Sequence, residues 1–260
     1  MLLFVFYRLH SLLRGGLKRA PHLLIMRILI GINCLTSVEQ IAYANHIQLF
    51  YNLGKRHPDW QVFINTPRRM SIDRMRNASA KVALELECDY LMFIDDDVIV
   101  PIGCIEQMID RDVDIVAGWT IIRGYPFENM FFKMDEKKNL SNYIVERGPG
   151  IVDVDAVGFS CALIKTSLIK KIRPPYFVTG PYNTEDIYFC VKARDTVPDC
   201  SIIVDCGIET AHIMGPECIS PWNREAYTDY YKKMNEVEDK QTTKGDRNEK
   251  YKEMILNVLP

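Results

Sequence analysis

Apolar residues in this chain fall mostly into short unbroken runs, separated by segments where they recur every three or four positions. Short apolar runs bounded by turn residues read as buried strands, and the helical recurrence as helices packed against them. Ile28–Ile32 is the first run, with Asn33–Ser37 as the loop at its carboxyl end. Ser37 is placed as an N-cap with Gln40 in the box position. The spacing then predicts a helix from Val38 to about Leu53, with Ile41, Ala42, Ile47 and Phe50 inward and Gly54 ending it. Gln61–Ile64 reads as a second strand. Met70–Cys88 reads as a helix with Met75, Ala78, Val82, Ala83 and Leu86 on one face. Tyr90-Leu-Met-Phe-Ile94 is a third strand, running into three consecutive aspartates. Pro101 opens a helix to about Arg111, and Asp114–Ala117 is a fourth strand ended by Gly118. To this point strand and helix alternate, which predicts an α/β protein with a mostly parallel central sheet flanked by helices.

Beyond Trp119 the pattern loosens. Gly124-Tyr-Pro-Phe127 is turn material, Asn129–Lys133 reads as an edge strand, and Asp135–Lys138 as a charged turn. Ile151–Val157 alternates apolar and acidic residues, as a half-exposed strand does. Gly158-Phe-Ser160 breaks it, and Cys161–Ile164 resumes as an apolar run. Ser167–Ile172 predicts a short helix. Thr184 is placed to cap another, with Ile187, Cys190 and Val191 inward and Glu185 and Asp186 in its first turn. Ile202–Val204 is a last short strand. Arg224–Val237 fits a helix, Glu238–Glu249 is charged and reads as mobile, and Lys250–Val258 fits a final turn or two. No repeat is visible.

Composition narrows the class. With 260 residues, 48% hydrophobic and 25% charged, the chain can bury a full core. A net charge of -2 argues against a general nucleic-acid binder. The eight cysteines include no CxxC pair, so a zinc ribbon or thioredoxin-type site is not expected. Most lie in apolar runs, as reduced thiols of a cytoplasmic protein do. Residues 1–25 differ from the rest. Met1–Tyr7 is apolar but far too short to span a bilayer, and Arg8, Arg14, Lys18 and Arg19 follow. The segment reads as an extension ahead of a domain opening at Met26. Peripheral membrane contact through a basic amphipathic segment is its second reading.

Candidate chemistry centres on Asp95, Asp96 and Asp97. Open α/β sheets bind ligands at the carboxyl ends of their strands. Three carboxylates crowded there need a counter-charge, and a hard divalent ion that also grips phosphates is one. The plainer reading is a solvated acidic turn. Arg74, Arg76 and Asn77 lie near a helix start, where anions collect; a pair of solvated arginines is the alternative. Asp155, Glu185, Asp186 and His212 are weak candidates singly. No GxGxxG follows the first strand, which leaves a dinucleotide-binding site without support.

Taken jointly and in order, these stretches resemble a family: an opening strand, Arg-x-Arg-Asn, Phe-Ile-Asp-Asp-Asp, Asp-x-x-Gly-Phe-Ser-Cys-Ala-Leu-Ile within 155–164, Thr-Glu-Asp-Ile-Tyr-Phe-Cys and a late histidine. The chain looks like the GT-A glycosyltransferases, in the inverting family-2-like branch that includes small bacterial and bacteriophage forms. The likeness covers roughly Met26–Trp222, leaving residues 223–260 as a helical, charged tail. It implies the GT-A fold and a Mn²⁺- or Mg²⁺-dependent transfer of sugar from a UDP- or GDP-sugar to an acceptor hydroxyl. It further implies that Asp95, Asp97 and His212 ligate the metal, that Asp96 contacts ribose or sugar, and that Asn33 and Thr36 receive the nucleoside. Arg74, Arg76 and Asn77 fall near base and phosphates, and Asp155 and Gly158 under the sugars. Asp186 is then the general base, with Glu185 or burial raising its proton affinity. Tyr188 departs from the Asp or Trp often found there. The QxxRW motif and membrane spans of polymer synthases are missing, which points to single additions. A sugar-nucleotidyltransferase of related fold and a non-catalytic nucleotide- or sugar-binding domain stay open as alternatives.

Overall fold

The computed structural model describes residues 25–241 except 138, 144, 146–149 and 182, and the backbone alone for 234–241. The first 24 residues, with the extension expected there, and the tail beyond 241 lie outside the described residues. In chain order the first half comprises β1 (Arg27–Asn33), α1 (Gln40–Arg56), β2 (Gln61–Asn65), α2 (Ile72–Glu85), β3 (Tyr90–Asp95), β4 (Val98–Ile99), α3 (Cys104–Asp110) and β5 (Ile115–Trp119). The second half comprises β6 (Phe131–Met134), β7 (Leu140–Asn142), β8 (Ile151–Asp153), β9 (Ala156–Val157), β10 (Cys161–Lys165), α4 (Thr166–Ile169), α5 (Glu185–Thr196), β11 (Ile202–Glu209), β12 (Ala211–Met214), β13 (Glu217–Ile219) and α6 (Arg224–Gln241).

The central sheet has the order β2-β1-β3-β10-β5-β11-β8. Strand β1 runs parallel to β2 and β3, and β5 parallel to β11, while β10 is antiparallel to both β3 and β5. Five strands therefore share one direction, and the mostly parallel sheet flanked by helices expected from the sequence is present. Alternation along the strands divides the core. Leu29, Leu91 and Phe93 face α2 and α5, and Ile28, Ile30, Met92 and Ile94 face α1 and α3. Two three-stranded sheets, β13-β12-β4 and β7-β6-β9, flank the carboxyl-end side of the central one.

Several elements differ from their sequence reading. Helix α1 starts at Gln40, not Val38, and Ser37 does not cap it. The chain stays extended to Glu39, whose N–H donates to Asp96 O at 3.0 Å and joins the β1 loop to the aspartate turn. The buried face of α1 is Ala42, His46, Leu49 and Leu53, leaving Ile41 and Ile47 exposed. The face is rotated because His46, a polar residue, reaches Val98 O at 3.0 Å through Nε2. On α2 the buried set is Met75, Arg76, Ser79, Ala80 and Ala83, so two polar side chains sit where the apolar stripe was expected. That helix closes early, with Glu87 in the left-handed region at φ 52. The single strand expected over 151–157 divides into β8 and β9, which join different sheets. Strand β11 continues to Glu209, well past Val204, and His212 lies on a strand, β12. Helix α6 carries on through 238–241, the start of the segment expected to be mobile.

All eight cysteines are free and seven are buried. Burial pushes the Cys88 and Cys200 thiols up to about 11, so they pack as small hydrophobes and make poor nucleophiles. No described helix is long and apolar enough to cross a membrane.

One close approach fixes the register of β5 on β11. A Cβ at Gly118 would meet the backbone oxygen of Ile208 at 2.9 Å. Gly118→Ala should destabilise the protein by ~1–3 kcal/mol through overpacking. An unshifted urea midpoint would show that the two strands can part there without cost.

Candidate active site

The carboxyl ends of β1 and β3 pair Asn33 with Asp95. Asp95 closes β3 on the face that looks at α2. From α2, Arg76 enters almost fully buried and meets three elements at once. Its Nε donates to Glu185 Oε1 at 2.8 Å, one terminal nitrogen donates to Phe159 O at 2.9 Å, and the other approaches Asp95 Oδ1 at 3.3 Å. The guanidinium lies over Phe93 and Phe159, 4.9 and 5.7 Å from the ring centroids. These rings pack on Phe177 and Phe189. An apolar wall on one side and carboxylates on the other suit a planar, weakly hydrated cation.

The acids around it differ in state. Burial pushes Asp95 above the usual carboxylate range, with Arg76 acting against the shift and Asp97 and Asp186 adding to it. Burial likewise raises Glu185, opposed by Arg76 and reinforced by Asp186. Asp97 lies below the usual range: burial works upward, and His212 and Arg123 overcome it. Asp96 is raised by burial, offset in part by Cys34.

Asp97 is held from several directions. Its carbonyl accepts Ile213 N–H at 2.8 Å, its Oδ2 lies 2.5 Å from Arg123, and its Oδ1 lies 3.4 Å from His212 Nε2. His212 is buried, and its Nδ1 lies 3.0 Å from Ile121 O. A carbonyl only accepts, so Nδ1 carries a proton, and Nε2 is the nitrogen that faces Asp97. A metal-binding histidine is oriented by this kind of bond from its second nitrogen. The residues therefore fit a hard divalent ion at the Asp97–His212 corner, with Asp95 one step inward. Among the described residues no group of three acids, histidines or cysteines is close enough together to hold an ion unaided. Phosphate oxygens and water would complete such a shell.

Asp186 opens α5 beside Glu185 and is also buried. Its Oδ1 accepts the Thr184 hydroxyl and the Ile187 N–H, the latter at 2.8 Å. Thr184 thus occupies the N-cap position expected of it, but its hydroxyl serves the aspartate and not the helix. The Asp186 Oδ2 has one long contact, 3.3 Å from Phe159 N, and keeps accepting capacity. Gly158, beside it, makes room for the Met130 side chain. A Cβ there would lie 2.5 Å from Met130 Cε and 3.5 Å from Asp186 Oδ2.

The remaining candidates divide. Asn33 is buried, and neither its amide nitrogen nor its oxygen has a partner among the described residues; buried polar groups of this kind call for one. Thr36 and Arg74 are exposed on the loop after β1 and on α2. Asn77 is committed to the backbone: its side chain bonds Asp73 O, Phe177 O and the N–H groups of Tyr176 and Phe177. Asp155 spends both oxygens as a brace, accepting Met134 N at 2.8 Å and pairing with Arg194 at 3.2 Å. Arg123 was missed by the sequence reading, as was the Ile121 carbonyl. The available signal was position: both follow directly on a strand that ends at the same edge of the sheet.

No protein-family model matches the sequence, and no curated protein does. Among solved structures the chain is similar to A197 from STIV, with a TM-score of 0.52 and 22% identity over 75% of this chain and 91% of that one. It is also similar to a crystal structure of GalNAc-T7 with UDP, GalNAc and Mn²⁺, with a TM-score of 0.44 and 10% identity over 74% of this chain. The first 349 residues of S. aureus TarS give a TM-score of 0.41 and 13% identity over 70% of this chain. The match spans 44% of the GalNAc-T7 chain and 60% of the TarS chain. Of these three, the likeness to A197 shows a shared fold; the two scores below 0.5 carry no weight.

Arg76 supplies a test of the cluster. Arg76→Met leaves the buried Glu185 and the partly exposed Asp95 without a counter-charge and should cost ~3–5 kcal/mol near pH 7. Both carboxyls are already raised in the fold, so their ionised forms destabilise it as pH rises through their folded values, and protonation relieves this. The deficit against wild type should therefore shrink from pH 7 toward about pH 4. Urea unfolding at several pH values reads it, and a deficit independent of pH would mean that the carboxylates are not what Arg76 compensates.

Proposed function

We propose that the protein is a GT-A glycosyltransferase. It moves a sugar from a UDP- or GDP-sugar to an acceptor hydroxyl, with inversion and with Mn²⁺ or Mg²⁺. The observation that carries this reading is the Asp97–His212 corner. It has an imidazole oriented through Ile121 O, stands at the carboxyl edge of the sheet, and shares Asp95 as a neighbour with a buried Asp186 that keeps an accepting oxygen. The sequence resemblance supports it independently.

In this reading Asp95, Asp97 and His212 hold the ion. When bound, it offsets the charge that builds on the departing diphosphate. The unpartnered amide of Asn33 takes a donor and an acceptor on the nucleotide, with Thr36, Arg74 and Asp96 around it. Arg76 positions: bonded to Glu185, Phe159 O and Asp95, it sets α5 against β3, and Glu185 acts through it. The acceptor oxygen attacks the anomeric carbon as the bond to the diphosphate oxygen breaks. That bonding pair leaves with the nucleoside diphosphate, and the acceptor proton passes to Asp186 Oδ2. Thr184 and Ile187 N hold Oδ1 and keep Oδ2 aimed.

The test is release of nucleoside diphosphate from a panel of UDP-, GDP- and dTDP-sugars, with Mn²⁺ or with EDTA. Turnover is expected with Mn²⁺ and not with EDTA. Metal-independent turnover would overturn the roles of Asp97 and His212, and pyrophosphate released from a nucleoside triphosphate and a sugar phosphate would favour a nucleotidyltransferase. Asp186→Asn should lower kcat by ~10²–10⁴-fold while leaving donor affinity near wild type. Full activity in that variant would remove Asp186 as the base.

A further inference from the structure

Arg123 is the unexplained cation of the site. It stands on the turn after β5, half exposed, and among the described residues its one ion pair is with Asp97 Oδ2, at 2.5 Å. The turn that carries it is fastened at both ends. Ile121 bridges to Asn129 and bonds His212, and Ile122 N donates to Glu128 O at 2.9 Å. At the tip, buried Phe127 packs on Tyr227 and Tyr231 of α6, with centroids 6.0 and 5.2 Å apart. The backbone is thus fixed and the side chain is not. Arg76 is the opposite case, buried and bonded three ways.

We infer that Arg123 is a diphosphate-binding residue with two positions. Without ligand it neutralises Asp97 in the place a metal ion would take. With an ion held by Asp95, Asp97 and His212 and a nucleoside diphosphate bound, the guanidinium would leave Asp97 and move onto the phosphate oxygens. The inference rests on the transferase reading above. Its physical basis is competition: Asp97 Oδ2 cannot serve a guanidinium and a divalent ion equally, and the arginine released beside a diphosphate meets oxygens that its planar fork matches. The arginine then stabilises the same developing charge as the ion, from a second side.

Opposite signs in two binding measurements test this without turnover. Mn²⁺ alone is titrated by the electron paramagnetic resonance signal of the free ion. UDP, and GDP in parallel, are titrated by calorimetry at saturating Mn²⁺. Arg123→Gln should bind Mn²⁺ alone about twofold to fivefold more tightly, since its competitor is gone. It should bind the diphosphate about tenfold more weakly. Arg123→Lys should keep the competition for Mn²⁺ and recover part of the diphosphate affinity, because an ammonium lacks the fork. Weakening of both ligands would make Arg123 a structural residue, tightening of Mn²⁺ with no change in diphosphate would make it a plug, and no change in either would leave it idle; each overturns the inference alone. A wild-type protein that binds neither Mn²⁺ nor diphosphate would instead overturn the transferase reading on which it stands.

Discussion

The buried guanidinium of Arg76 ties the candidate site together. It is a helix residue that bonds the end of a central strand, the carbonyl of the turn before β10 and the first residue of α5. Those three elements come from distant parts of the chain, and each brings a group the site needs: Asp95, the 158–160 turn and Asp186. Burying an ion is expensive, and here the cost is met by two carboxylates, one carbonyl and two aromatic faces. A hydrophobic side chain of similar volume could fill the same space. It could not hold Glu185 and Asp95 ionised next to one another.

The consequence is a graded set of acids. Asp95 and Glu185 face inward, where burial dominates and Arg76 works against it. Asp97, two residues on, faces His212 and Arg123, and these outweigh its burial. Neighbouring carboxylates in one acidic run are therefore pushed in opposite directions. Alternation on and just beyond a strand does this: Asp95 shares the face of Phe93, while Asp97 leaves the sheet and meets β12 through its own carbonyl. Asp97, flanked by His212 and Arg123, is the acid of the run that is held ionised.

Much of this was legible in the sequence. The unbroken apolar runs gave the core strands, because strands buried on both faces need no alternation. The triplet of aspartates, Arg76, the Glu-Asp pair and the late histidine all fall around one edge of the sheet. Helix faces were less legible. His46 and Ser79 occupy core positions because each finds a partner, Val98 O for one and Asn65 for the other, and hydrophobicity alone gives such residues to solvent. Asn77 and Asp155 carried the right residue types, but their side chains went to backbone groups of chain segments that no local pattern reveals. Position along the chain marked where they would lie; only long-range contacts decided what they bind.

The same reasoning explains why the segment after Trp119 resisted reading. Its structure is set by partners far away in sequence. Asn129 accepts both the Trp119 indole N–H, at 2.7 Å, and Arg224 from α6, at 2.9 Å. The Ile121 carbonyl is spoken for by His212, and Phe127 is buried under Tyr227 and Tyr231. The turn has little regular structure because its backbone and side chains are used for cross-links between β5, β12 and α6. A segment cross-linked in this way can hold a charged side chain at the mouth of a site without a helix or strand beneath it. Arg123 stands in that place, where the helix behind the turn fixes its backbone and, among the described residues, Asp97 fixes its charge.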